Sequence, residues 1–308
     1  GKGKGKGKGK GKAIEEVALP EGVTKEVFPV HSADGQAVHL DVYSPTDAGN
    51  TLRPSVLYTH GSAFSAGPKL RTQPPYLEKL CKAGYTIAVV EHRGHRAGFP
   101  HLLHDAKAAL RFLRGNAKAM GLDPDRISAF GNSSGGWMSL MLAATASTKV
   151  VPEIDLNGSL GAPAFRSEKV HVACCIDFFG PTDFLRMDEQ NLPDGKITHN
   201  DAYSPESKVM GFPIQDQPEV CKRAHPLTYI DETMPPTLVI HGKQDLLVPF
   251  GQSVLLDTQL TELNASGVKH SFVALEEAGH GMGAEFLADE TADRVLAWLN
   301  EHSPAKPS

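Results

Sequence analysis

Short apolar runs alternate with longer helical patterns along most of this chain, and that alternation limits the fold more than any other feature. The runs lie in "PSVLYTHG", "YTIAVVEHRG", "RISAFGN" after a turn at "LDPD", "KVHVACCIDFFGP", "PPTLVIHGKQD" and "KHSFVALEEAG". Most are near-continuously apolar rather than alternating with polar residues, which is how strands buried on both faces read. Between them lie "PPYLEKLCKAG", "HLLHDAKAALRFLRGNAKAMG", "SSGGWMSLMLAATAS", "GQSVLLDTQLTELNASG" and finally "AEFLADETADRVLAWLNEH". In the second of these, Leu102, Leu103, Ala106, Leu110 and Leu113 recur at three- and four-residue steps. Strand and helix in alternation imply an α/β fold, with a mostly parallel central sheet and helices on both faces. An antiparallel pair, "VTKEVFPVHS" and "QAVHLDVYSP", should precede it, turned at Asp34-Gly35.

The 308 residues suffice for one large domain. Residues 1–12, "GKGKGKGKGKGK", carry nothing to bury and read as an appended, disordered tail. The predicted organisation is that tail, a domain over 13–303, and a C-terminal tail over 304–308. The stretch from about 181 to 230 is too irregular and too long for a simple connection, so it is expected to form a small inserted cap. The tail also distorts the charge. Without its six lysines the chain holds 25 basic against 36 acidic residues, a balance of −11. So acidic a body argues against nucleic acid as a partner. No apolar run approaches the ~20 residues of a membrane span, so a soluble protein is expected, cytoplasmic or exported. Cys174 and Cys175 are adjacent on a strand and should point to opposite faces, so the cysteines read as buried thiols.

Chemistry enters at "RISAFGNSSGGWMSL". A strand runs straight into two serines and a helix leaves them. A nucleophile on such a turn needs Gly-x-Ser-x-Gly, because the backbone passes close on both sides. Ser133 is flanked by Gly131 and Gly135, whereas Ser134 would be flanked by Asn132 and Gly136, so the register selects Ser133. The backbone N–H of Ser134 then faces the place where an oxyanion would form. A serine needs a base, and the base an acid, in the order Ser, acid, His. His280, on the Gly-flanked loop "AGHGMG", is the predicted base, ahead of His270 and His302. Asp245, just after "PTLVIHG", is the predicted acid, with Asp183 of "GPTDF" as the backup. The loop "HGSAFSAG" offers the N–H groups of Ser62 and Ala63 as further oxyanion donors, with His60 bracing it.

With these residues placed, the sequence resembles the α/β-hydrolase superfamily, and within it bacterial carboxylesterases of the hormone-sensitive-lipase and feruloyl/acetyl-esterase-like branch. The resemblance runs from about Pro54 to Leu299 and rests on "HGSAF", "DPDRISAFGNSSGG", "FFGPTDF", "HGKQDLLVPFGQS" and "AGHGM" in that order. Ser62 and Ala63 stand where the branch has two glycines. Ser134 stands where it commonly has Ala, and Glu91-His92 where it often has Asp-Tyr. The resemblance implies an α/β-hydrolase fold and hydrolysis of short-chain acyl esters by a serine esterase, without cofactor or metal. Its substrates would be small-molecule or carbohydrate esters, including acetyl or feruloyl esters of plant polysaccharide. Oligomeric state stays open.

Three other readings compete. A metallohydrolase could draw on Glu91, His92, His95, His101, His104 and Asp105, but their spacing matches no recognised zinc motif. A noncatalytic binder on the same fold would more commonly have lost part of the triad, and all three members stand here. A peptidase of the same fold keeps the triad too. The lack of a large accessory domain favours esters over amides.

Overall fold

The computed structural model describes residues 17–32, 34–47, 51–65, 73–146, 154, 165 and 168–305. The Gly/Lys tail and residues 306–308 of the C-terminal tail lie outside the described residues. Eight strands form one sheet: β1 (Val23–His31), β2 (Ala37–Pro45), β3 (Arg53–Thr59), β4 (Thr86–Glu91), β5 (Leu122–Asn132), β6 (Cys175–Phe178), β7 (Thr237–Gly242) and β8 (His270–Leu275). Their order across the sheet is β1-β2-β4-β3-β5-β6-β7-β8. The β1–β2 hairpin is antiparallel, as is β2 to β4, and every later pairing is parallel. The chain therefore runs one way from β3 to β4 and the other way from β3 to β5. In open α/β sheets, such a reversal leaves a crevice at the carboxyl ends of the strands.

Among the described residues, six helices longer than four residues accompany the sheet: α1 (Leu77–Lys82), α2 (His101–Gly115), α3 (Ser134–Ala144), α4 (Pro205–Met210), α5 (Gly251–Glu262) and α6 (Asp289–His302). Two apolar clusters line the two sheet faces. Leu57, Ala88, Ala129, Cys175 and Val239 pack with residues of α2, α3 and α5. Their strand neighbours Val56, Ile87, Phe130, Ile176 and Ile240 pack with residues of α1 and α6. The period of two along each strand thus sends neighbouring side chains into opposite layers. Cys174 and Cys175 separate in the same way, and all four cysteines are buried free thiols.

Two elements differ from the sequence reading. The pattern of α2 predicts a helix through Gly121, but the helix ends at Gly115 and turns carry the chain to β5. "LDPD" reads as a turn, yet it already belongs to β5 as a bulge. Arg53 pairs with Leu122 and Ser55 with Ile127, and the side chain of Asp123 accepts the N–H of Asp125. The segment from 181 to 230 holds α4 and several single turns of helix rather than strands. No helix among the described residues is long and apolar enough to cross a membrane.

Beyond β4 the chain is pinned through Arg93. Asp105 of α2 is fully buried and accepts the backbone N–H of Arg93 and its guanidinium, the closest contact being 2.7 Å. Arg93 also reaches Asp34 at 2.6 Å and Ser32 at 3.2 Å, which ties in the β1–β2 turn. Removing one partner of a buried pair is costly. Asp105→Ala is expected to lower stability by about 3 kcal/mol, at the low end of that class because Arg93 keeps Asp34 and some solvent. Urea unfolding midpoints of the variant and the parent check this.

Candidate active site

Ser133 stands between β5 and α3 with φ 56° and ψ −128°, in a region that non-glycine residues rarely occupy. The turn is that sharp because three backbone segments meet there. A Cβ on Gly135 would lie 1.9 Å from the Thr59 carbonyl oxygen, and one on Gly131 would lie 2.1 Å from that of Gly135. Neither position admits a side chain, so the two glycines of the motif are dictated by contact rather than by flexibility.

His280 and Asp245 reach Ser133 from the ends of β8 and β7. The Nε2 of His280 lies 3.0 Å from Ser133 Oγ, and its Nδ1 lies 2.8 Å from Asp245 Oδ2. The Phe179 ring meets the His280 ring edge-to-face at 4.8 Å. With Nδ1–H donated to the carboxylate, Nε2 is left to accept the serine hydroxyl. Burial alone would raise the Asp245 carboxyl. Hydrogen bonds from His241 and His280, with the electrostatic pull of both rings, hold it well below the usual carboxylate range instead. Its Oδ1 also accepts the N–H groups of Leu247 and Val248, both at 2.8 Å.

His241 is a partner that the sequence reading missed. It is fully buried, and its Nε2 lies 3.2 Å from Asp245 Oδ2 and 3.0 Å from the Val248 carbonyl. Two acceptors on Nε2 make that nitrogen the protonated one, and Nδ1 accepts from Ser253 Oγ at 2.7 Å. The signal was present as His241 and Asp245 four residues apart at a strand end. Asn132 was also passed over, as a failed glycine. Its Oδ1 accepts Gly61 N–H at 3.1 Å and the Tyr58 hydroxyl at 2.6 Å, joining the end of β5 to the loop after β3.

That loop carries the other expected donors. Ala63 and Phe64 adopt positive φ, 49° and 59°. The Ser62 N–H donates to Ser134 Oγ at 2.9 Å, so this donor is filled from within the site. Ser134 opens α3, where backbone N–H groups have no helical partner. His60 stacks on His92 with ring centroids 5.6 Å apart, and burial keeps both imidazoles neutral, His92 being lowered to about 3. Of the remaining candidates, Asp183 caps the turn after it through Leu185 N–H and faces His225 rather than His280. His270 meets Asp257, and His302 packs on Trp298. His92 accepts Gly94 N–H, and His101 meets His104 ring to ring. No group of three or more metal-ligating side chains forms among the described residues.

A pocket of about 310 Å³ opens beside Ser133 and His280. Gly61–Phe64 line one part of it. Pro181, Ile197, Pro205 and Glu206 come from the irregular segment, and Leu247 and Val248 from the loop after β7.

Residues 40–260 match the BD-FAE family model. The chain belongs to the BD-FAE family. Among curated relatives it is 27% identical to the "Probable carboxylic ester hydrolase LipM" of Mycobacterium tuberculosis, over 87% of this chain and 59% of that protein. It is 24% identical to "Esterase LipQ" of the same organism, over 84% of this chain and 56% of that one. The chain thus spans a little under three fifths of the length of either relative. A solved structure titled "Truncated form of carbohydrate esterase from gut microbiota" superposes with a TM-score of 0.78 at 28% identity, covering 92% of this chain and 98% of that one. The "Bacterial Heroin Esterase" structure, at 21% identity and TM-score 0.71, shares the fold over 93% of this chain and 87% of its own. The architecture is the α/β-hydrolase fold.

The Asp245 environment fixes a direction for pH. Its carboxyl is depressed in the folded chain relative to about 3.9 in the unfolded chain. Its contribution to stability is therefore complete above about pH 4 and fades as pH falls toward the folded value. Thermal melts between pH 7 and pH 2 should show a fall in midpoint below about pH 4. That fall should be shallower in Asp245→Asn, which cannot titrate there.

Proposed function

We propose that this chain is a serine carboxylesterase that cleaves short-chain acyl esters through an acyl-enzyme. The observation that carries the reading is the continuous relay from Ser133 Oγ through His280 to Asp245, with both links at 3.0 Å or less. Names of relatives and neighbours point the same way, to ester and carbohydrate-ester hydrolysis.

A serine hydroxyl is not a nucleophile near neutral pH until a base takes its proton as it attacks. His280 Nε2 accepts that proton, and Ser133 Oγ forms a bond to the ester carbonyl carbon. Asp245 holds the ring in the required tautomer and balances the imidazolium, without taking the proton itself. The carbonyl oxygen becomes an oxyanion, held by the N–H groups of Ala63 and Ser134. Ser62 N–H joins them once it is exchanged from Ser134 Oγ to the ligand. Collapse of the intermediate expels the alcohol, which leaves with the proton from His280. Water then attacks the acyl-enzyme by the same route and regenerates Ser133. The groups needed for both halves come from this chain, and the cycle uses no cofactor.

The pocket lies at the small end of ligand sites, which run from ~300 to 1,000 Å³. Ile197, Leu247, Val248 and Pro181 give it apolar walls. A short acyl group such as acetyl fits that description better than a long chain. In this reading residues 13–303 form one catalytic domain, and the 181–230 segment serves as its cap and helps shape specificity. Esters of plant polysaccharide, acetyl or feruloyl, are the proposed natural class.

The test is hydrolysis of p-nitrophenyl acetate, butyrate and octanoate, with chelator present. Rates are expected to fall with chain length. Ser133→Ala should lose about 10⁴-fold or more in kcat while its melting curve stays that of a folded protein. A fluorophosphonate should label the parent once, and intact mass should show no label on the variant. Full activity in folded Ser133→Ala would overturn the assignment.

A further inference from the structure

One wall of the pocket carries a charge that the proposed chemistry does not use. Glu206 is 3% exposed, yet it lines the same pocket as Ser133 and His280. It sits in the first turn of α4, placed there by Ser204, whose side chain caps the helix through Ser207 N–H, and by Pro205 at the first helical position. Its Oε2 meets His199 Nδ1 at 3.0 Å, and His199 is itself 1% exposed. The His199 backbone is fixed in turn, its N–H donated to Asp188 Oδ1 at 2.6 Å. Among the described residues no hydrogen-bond donor meets Glu206 Oε1, and His199 Nε2 is buried without a partner.

Packing does not account for such a group. Burying a carboxylate costs several kcal/mol unless its lone pairs are filled, and an apolar residue of the same size would line this wall at less cost. A half-filled carboxylate on a pocket wall instead awaits a donor. Ammonium and hydroxyl groups are both donors, but the hydroxyl suits better a pocket in which Glu206 is the one carboxylate among the described lining residues, beside the apolar Ile197, Leu247, Val248 and Pro181. An ammonium would lose its hydration there with a single counter-charge to offset it. A purely apolar ester would cover Oε1 and leave it unpaired, which is the asymmetry that lets a polar site reject an analogue lacking one hydroxyl.

We infer that Glu206, positioned by His199, is the residue that recognises a free hydroxyl on the ester substrate. The inference rests on the esterase reading above and sharpens its substrate class to esters of polyols or hydroxy acids. Glu206 takes no part in the acyl transfer. Its role is to favour binding of substrates that present an O–H near the scissile ester.

Two matched pairs of esters test it, with concentrations normalised by fluorophosphonate titration of the nucleophile. Glycerol monoacetate against propyl acetate places the hydroxyls on the alcohol, and propyl lactate against propyl propionate places one on the acyl group. The parent should prefer the hydroxylated member of one pair. In Glu206→Leu that kcat/KM ratio should fall about 10- to 100-fold, mainly through KM, the size of a hydrogen bond to a charged acceptor. Glu206→Gln should fall less, because its amide oxygen still accepts, and Glu206→Asp should recover part of the preference. The pair whose ratio moves tells whether alcohol or acyl group carries the hydroxyl. Ratios that stay at the parent's value in both pairs, or a parent that favours the unhydroxylated esters, overturn the assignment. A parent that takes up the fluorophosphonate and cleaves p-nitrophenyl acetate leaves the esterase reading standing in that event. A parent that does neither overturns both.

Discussion

The contact on which the active end of this molecule depends is between two backbones. The Thr59 carbonyl, at the end of β3, lies where a Cβ of Gly135 would be. That approach brings the start of α3 against the end of β3, while α3 also packs on β5 and β6. It forces the unusual φ and ψ of Ser133, and it brings the loop after β3 within hydrogen-bonding distance of Asn132 and Ser134. Ser133 and the loop proposed to hold the oxyanion are thus positioned by one steric event. The parallel order of β3, β5, β6, β7 and β8 then sets His280 and Asp245 on the same edge.

Much of this was legible in the sequence because the signals were local or periodic. Near-continuous apolar runs gave the strands, and their period of two put Cys174 and Cys175 in different layers. Gly131 and Gly135 selected one serine of two because a close approach leaves a requirement at fixed spacing. The chain order of Ser133, Asp245 and His280 needed only that each follow a strand. The β5 bulge was not legible, since Asp123-Pro124-Asp125 carries ordinary turn chemistry and only the pairing with Arg53 and Ser55 keeps it in the sheet.

What the sequence hid were partnerships across long separations. Tyr58 and Asn132 are 74 residues apart, and nothing in either one's neighbourhood announces their hydrogen bond. Ser134 looked like a variant of the usual small residue, but its hydroxyl has a specific use on Ser62. Composition can also mislead in the other direction. Cys221, His225 and Asp183 approach one another at 3.6 and 3.3 Å in a nucleophile–base–acid order. Burial pushes that thiol up to about 12, and His225 Nε2 already accepts Phe184 N–H, so the set serves packing and capping.

Asp245 shares one oxygen between two imidazoles and gives the other to two backbone N–H groups. An anion so heavily solvated by its own protein is a poor proton acceptor. In the proposed reaction the proton on His280 Nδ1 would therefore stay on nitrogen, and the His280–Asp245 contact would work as a fixed field rather than a transfer path. His241 keeps that field in place. Were the His280 ring to tilt, as the proposed release of an alcohol would require, the carboxylate would still be held by His241 and by the N–H groups of Leu247 and Val248.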